Sequence, residues 1–222
     1  LVAGTGAISF DDNAQVATSG GNVRMLAATD ITLGGVQAGT GSVTLTATAG
    51  SILDAGDTYQ DISASAARLV AGTGIGTATN PLEVGLDTLA ASAGTAGISL
   101  EEDNDLTITF VTVTVRAVSA DATSAALAAE TLSDLTTSAN GSIAVTLVAG
   151  DLTLDDGTVD NTAVSANGSG NIYLSAANLT ANADVLSGSG DLTLLAATNL
   201  TFNATADVKT SGGDVNLVAD TG

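Results

Sequence analysis

The stretch GGNVRMLAATDITLGGVQAGTGSVTLTATAGSI, residues 20–52, states one phrase twice. Glycine, a polar residue, Val, any residue, Met or Leu, any residue, Ala begins at Gly21 and again at Gly41. The phrase returns as GSIAVTL at Gly141, GNIYLSA at Gly170, GDLTLLA at Gly190 and GDVNLVA at Gly213. The gaps are 20 from Gly21 to Gly41, 29 from Gly141 to Gly170, 20 from Gly170 to Gly190 and 23 from Gly190 to Gly213. A fixed period in this range is the signature of a repeat architecture.

Within a unit three short alternating runs follow one another. In the unit from Gly21 these are Val23, Met25 and Ala27, then Ile31 and Leu33, then Val36. In the unit from Gly190 they are Leu192, Leu194 and Ala196, then Leu200 and Phe202, then Val208. Period two marks strands rather than helices, and the intervening Gly, Asn, Asp and Ser are turn residues. Three such strands in a unit near 20 residues are too short and too closely punctuated for a sandwich. They predict an all-β fold, a right-handed parallel β-helix with about 20 to 24 residues and three strands per rung. Each rung buries one layer of side chains and needs neighbours to shelter it. Roughly ten rungs predict a rod on the order of 50 Å long.

The chain of 222 residues is read as one solenoid segment, 1–222, with an irregular region or insertion at 106–140. There, residues 121–135, DATSAALAAETLSDL, are Ala-rich behind a candidate N-cap. They read either as a short helix on the rod or as another poor rung. The hexamer LVAGTG at Leu1 recurs at Leu69, and LVADTG begins at Leu217. On this basis start and finish fall at the same phase of the rung. With no polar end cap in the sequence, the expectation is a piece of a longer stacked fibre.

Composition narrows the function. Hydrophobic residues make up 45% and aromatic ones 2%, so the core must consist of thin aliphatic layers. Cys and His are both absent, which excludes disulfides, the usual zinc sites and His- or Cys-based catalysis. Four basic residues, Arg24, Arg68, Arg116 and Lys209, stand against 24 acidic ones. The formal charge of −20 repels nucleic-acid phosphates and anionic headgroups. No run is long and apolar enough to span a membrane; LTITFVTVTV, residues 106–115, is short and alternates with Thr. No signal peptide is recognisable.

Several motifs have a plain reading and a sharper one. GTGIG, residues 72–76, lacks the Lys and following helix of a phosphate loop and reads as turn glycines. Acidic clusters follow apolar strands at Asp11 and Asp12, at Asp54 and Asp57, at Glu101, Glu102, Asp103 and Asp105, and at Asp155 and Asp156. On equivalent corners they could attract calcium; otherwise they are solvated corners, and neither calcium-loop motif is present. A glycosidase pair needs two carboxyls about 5 to 9.5 Å apart in a cleft. With few bases and few aromatics the chain is poorly equipped for this, and the expectation is no catalytic residue, no cofactor and no enzyme. Outward Thr rows suit strand propensity better than an ice-binding face. Asn140, Asn167, Asn178, Asn199 and Asn203 head Asn-x-Ser/Thr triplets, relevant only if the source glycosylates secreted proteins.

The units GSVTLTATAGSI (41–52), GIGTATNPLEVGLDTLAASAGTAGISLEEDNDLTI (74–108) and GNIYLSAANLTANADVLSGSGDLTLLAATNLTF (170–202) resemble the repeat regions of filamentous-haemagglutinin-like large bacterial exoproteins. The resemblance implies a secreted, extracellular or cell-surface β-helical fibre, an adhesin, matrix fibre or stalk. It also implies end-to-end self-association and a host surface or polysaccharide as partner. The alternative from another class is a β-helix that binds or degrades polysaccharide.

Overall fold

A computed structural model of the chain describes residues 1–56 and 59–220. These residues are all strand and turn, and they coil into a β-solenoid of about 9 turns of about 23 residues. With neighbouring rungs about 4.8 Å apart, the stack is roughly 40 Å tall. No helix long and apolar enough to cross a membrane occurs among the described residues.

Three parallel sides enclose the core. The first runs through Val2–Ala3, Val23–Ala27, residues 43–47, 67–71 and 89–93, Leu135–Thr137, Thr162–Ala166, Asp184–Ser187 and Val208–Thr210. The second runs through Ile8–Ser9, Ile31–Leu33, Ile52–Asp54, Gly74–Ile75, Gly97–Glu102, Ile143–Leu147, residues 172–176 and 192–196, and Val215–Ala219. The third begins with Val16–Ala17 and residues 36–37, 62–64 and 84–86. It continues in Leu106–Ile108, Leu152–Leu154 and residues 179–181 and 200–202.

Parallel pairing in register sets one residue directly over its equivalent. On the second side a single column reads Ile8, Ile31, Ile52, Ile75, Ile98, Ile143, Ile172, Leu192, Val215. Val23 lies over Val43 and Leu174 over Leu194, as the repeat requires. Met25, Leu45 and Leu69 are wholly buried on the first side. The β-branched members suit the pleated surface, and stacked alike they leave no void between layers.

The phrase opens on glycine because the corner has no room for a side chain. From Gly94 through Gly141, Gly170, Gly190 and Gly213, a Cβ on each would fall inside 3.0 Å of the carbonyl oxygen of the glycine one rung earlier. Gly72 belongs to this column, with Thr48 O as its obstacle, and is a turn glycine. Gly41 meets Gly21 in the same way at the corner between the third and first sides.

The phrase does not mark one side. Its copies at Gly21 and Gly41 lead into the first side, whereas those at Gly141, Gly170, Gly190 and Gly213 lead into the second. LVAGTG at Leu1 and Leu69 shares a phase, since Val2 pairs Leu26, Leu26 pairs Thr46 and Thr46 pairs Val70. Leu217 instead stacks over Leu194 on the second side, so LVADTG lies at another phase. A five-residue alternating arm behind a glycine fits any side; its neighbours choose which. Phe202, read as inward, is 37% exposed, and no described arm of the ninth rung lies over it.

Of residues 121–135, those up to 134 form neither helix nor rung, and Leu135 opens the next first-side arm. Leu106–Ile108 is a regular arm, after which Val111–Val113 pairs antiparallel with Glu130–Leu132 and Arg116–Val118 with Ser124–Ala126. Asp121 tightens the tip, its Oδ1 accepting from Thr123 N at 3.0 Å and Thr123 Oγ1 at 2.7 Å. A helix of this length alone is marginal in water. The Val-Thr alternation ahead of it offers a strand partner that satisfies the same backbone groups. The run LTITFVTVTV is therefore split between the rod and this hairpin, which lies on the outside of the first side. There Val111, Val113 and Ala90 are buried together, with Ala66, Val115 and Leu132 packed against them.

Gly170→Ala and Gly190→Ala should each lower stability by about 1–3 kcal/mol in denaturant titrations. Gly4→Ala, where nothing lies within 4 Å of the new Cβ, should stay within about 0.5 kcal/mol of the parent. Equal effects at all three positions would contradict the stacked-glycine corner.

Candidate functional site

Two polar assemblies break the aliphatic pattern. The first fastens the hairpin to the rod. Arg24, Thr44 and Arg68 are neighbours in register on the outer face of the first side, and Glu130 of the hairpin descends onto them. Arg24 Nε lies 2.6 Å from Glu130 Oε1; Thr44 Oγ1 donates to Oε2 at 2.7 Å, and Arg68 Nη1 is 3.4 Å away. Burial opposes ionisation of Glu130. The donors Thr44 and Arg24, with the Arg68 charge beside them, outweigh this and hold its pKa below the ordinary value. Asn22 Nδ2 adds a bond to Thr114 O at 2.8 Å. The outward Thr row of residues 44–46 is thus partly covered, Thr44 completely. A cavity of about 360 Å³ lies where the hairpin meets the first rungs, lined by aliphatic side chains together with Thr18, Asn22, Arg24 and Arg116.

The second assembly lies at the corner between the second and third sides of the third and fourth rungs. Asp54 occupies the place one rung beyond Leu33, an inward position, and is buried. Asp61, just ahead of the third-side arm that begins at Ile62, is completely buried. Glu83 comes from the arm stacked on that one. Three carboxylate oxygens, one each from Asp54, Asp61 and Glu83, lie within 4.8 Å of one another. Backbone amides fix two of the groups: Gly56 N donates to Asp54 Oδ1 at 2.8 Å and Glu83 N to Asp61 Oδ2 at 3.0 Å. Among the described residues, Asp54 Oδ2, Asp61 Oδ1 and Glu83 Oε2 are buried and receive no donor while all three groups are ionised; a proton between Asp61 and Glu83 would join that pair and leave Asp54 Oδ2 still without a partner. Burial, and then the charge of Asp54, push the Asp61 pKa up to about 9; burial raises Glu83 as well. Glu83 also lines a small cavity of about 150 Å³ together with Gln60, Glu101, Glu102 and Asp103.

Glu102 stands next to this cluster in an apolar column, paired with Val84 on one side and Leu147 on the other. It is fully buried. Its carboxylate accepts from Leu86 N at 3.0 and 3.2 Å, from Asp103 N at 3.0 Å and from Asn104 N at 3.2 Å. Burial prevails over these donors and raises its pKa to about 8. Its task is to satisfy amides at the corner where the sheet ladder is interrupted.

Compared with protein families, with curated proteins and with solved structures, the chain finds no match.

The acidic clusters singled out in the sequence do not share one edge. Those at Asp11, Asp54 and Glu101 fall at the corner after the second side, but on the first, third and fifth rungs. Alternate rungs are about 9.6 Å apart, too far for one ion. Asp155 and Asp156 fall at the corner after the third side. Asp11, Asp12, Asp103 and Asp105 are exposed, and Asp57 lies outside the described residues. Several corner acids accept backbone amides from the next rung: Asp30 from Ser51, Asp105 from Asp151, Asp184 from Asp207 and Asp191 from Asp214, at 2.7 to 2.8 Å. Asp156 instead holds Thr158 N and Asn161 N of its own turn. Asn178 donates to Asp151 at 2.7 Å and accepts from Asn199 at 2.8 Å, and Asp155, Asn182 and Asn203 form a parallel ladder. Three of the triplet asparagines, Asn178, Asn199 and Asn203, are thus rungs of corner ladders.

Of the Asp54–Asp61–Glu83 group only Asp54 was flagged by its sequence neighbours. Asp61 and Glu83 are single acids 22 residues apart. The one signal for them is that spacing, one rung, which superposes them.

Glu130→Ala should free the hairpin at a cost of about 1–3 kcal/mol, seen as faster tryptic cleavage at Arg116 and faster hydrogen exchange over residues 111–132, with the rod unchanged. In the parent, the same loosening should appear as pH falls through the depressed Glu130 pKa, because the pairing needs the carboxylate. With divalent cations chelated, stability of the rod should fall as pH rises from about 4 to about 9. In that window the folded chain holds protons that the unfolded chain has released, so rising pH favours unfolding. Asp61→Asn and Glu102→Gln should each flatten that slope.

Proposed function

We propose that this chain is a stiff, non-catalytic segment of a secreted extracellular filament or adhesin, which holds a binding element away from the cell surface. The observation that carries the reading is the unbroken in-register column from Ile8 to Val215. A ladder in which each rung bonds to the next resists bending and extension through many hydrogen bonds at once. The formal charge of −20 keeps neighbouring rods soluble and mutually repelling. In the proposed filament further like rungs lie on the first and last ones described, where Leu1, Val2, Val215 and Leu217 are exposed.

The distribution of chemistry favours this reading over a polysaccharide-cleaving β-helix. The acidic cavity at Glu83 is lined by no basic or aromatic residue, and the cavity beneath the hairpin holds Arg24 and Arg116 with no carboxylate. Neither combines an acid pair with a cation or a stacking ring.

Electron microscopy with fibre diffraction of the purified protein tests the proposal. Fibres of uniform width with an axial spacing of about 4.8 Å are the expected result. Isolated compact particles that cleave an acidic polysaccharide would overturn it.

A further inference from the structure

The chain has four basic side chains, and each is engaged away from the acidic corner. Arg24 and Arg68 hold Glu130. Lys209 pairs Asp207 at 2.5 Å, and Arg116 donates to Ser124 O at 2.7 Å. No protein cation therefore neutralises Asp54, Asp61 and Glu83. Two buried carboxylates and a half-buried third without a counter-charge are strongly unfavourable, so such groups take up either protons or a metal.

The geometry suits a metal. Two carboxylates have one oxygen tethered by an amide, Asp54 Oδ1 and Asp61 Oδ2, and an opposite oxygen buried and unpartnered, beside the unpartnered Glu83 Oε2. Calcium–oxygen bonds run about 2.3–2.6 Å. Ligand oxygens on opposite sides of one ion are thus up to about 5 Å apart, and one carboxylate oxygen from each of the three residues lies within 4.8 Å of the other two. The donor set is all hard oxygen, with neither His nor Cys in the chain, which suits calcium or magnesium rather than zinc or copper. Magnesium keeps most of its water and demands a near-ideal octahedron at about 2.0–2.1 Å; three convergent carboxylates suit the larger, more adaptable ion.

We propose that Asp54, Asp61 and Glu83 form a calcium site that pins the corner of the third rung to the arm of the fourth. Asp54 and Asp61 belong to the third rung, and Glu83 reaches them from the rung stacked upon it, so one ion crosslinks successive rungs. The adjacent cavity, with Glu101 and Asp103 in its lining, gives waters a place to complete the coordination and draws cations inward. The site stands whether or not the rod belongs to a filament.

The test is titration calorimetry of the whole 222-residue chain stripped with a chelator, using calcium chloride and, separately, magnesium chloride at pH 7. It is run in two buffers of different ionisation enthalpy and accompanied by melting curves. The expected result is one calcium ion per chain, release of protons from the raised acids Asp61 and Glu83 on binding, and a melting temperature that climbs with calcium concentration. Asp61→Asn and Glu83→Gln should each abolish the stoichiometric binding and the calcium-dependent rise in melting temperature while keeping the β-sheet circular dichroism of the parent. Glu101→Gln, on the cavity wall, should keep the 1:1 stoichiometry. Four results overturn the proposal. These are no heat and no melting shift with calcium, which would leave a proton shared between Asp61 and Glu83 as the neutralising species; weak multi-site binding untouched by Asp61→Asn; tighter binding of magnesium; and a calcium-dependent rise in melting temperature that survives Glu83→Gln.

Discussion

The constraint on which the structure depends is parallel, in-register hydrogen bonding from each rung to the next. Parallel ladders place residue over equivalent residue, so whatever one rung puts inside, the next must match in shape. Repeated aliphatic columns and the glycine corner follow from that single requirement. Where the chain turns, each rung's carbonyl occupies the volume a side chain would fill on the next. A core of Ile, Leu, Val, Ala and one Met is what remains when a layer may be only one strand spacing thick.

The same constraint explains where the acids go. A turn interrupts the ladder and leaves amides without strand partners, which side-chain acceptors can satisfy. Asp30, Asp61, Asp105, Asp184 and Asp191 meet this need by accepting an amide from the following rung. Part of the high negative charge is therefore structural, a consequence of building corners from Asp and Asn, rather than only a solvated surface. At one corner the device is compounded. Asp54 and Glu83 join Asp61, and the requirement for acceptors becomes an excess of buried negative charge that calls for a counter-ion.

The hairpin of residues 111–132 shows how a local insertion is absorbed. It leaves the rod after a regular third-side arm and returns at Leu135, which pairs Ala91 as if nothing had intervened. Two antiparallel strands alone are marginal. Their stability comes from the apolar contact with Ala90 and Ala66 and from Glu130, which draws on two of the chain's few cations. The ladder beneath is continuous, so the hairpin can loosen without the rod unwinding.

Alternation, glycine spacing and the dearth of aromatics determined the stacked three-sided coil from the sequence alone, because they report on short-range geometry that every rung must repeat. The superposition of Val23 on Val43 follows from spacing in the same way. Which side each phrase occupies was decided only by the tertiary structure: an arm such as GSVTLTA or GSIAVTL fits either of two sides, and the neighbouring rungs settle the choice. The hairpin was hidden for a related reason, since an Ala-rich run has no strand signal until Val111–Val113 supplies a partner. Asp61 and Glu83 look like ordinary isolated acids in the sequence. Only the coil, by returning the chain to the same corner one rung later, brings them against Asp54 and buries Asp61 completely.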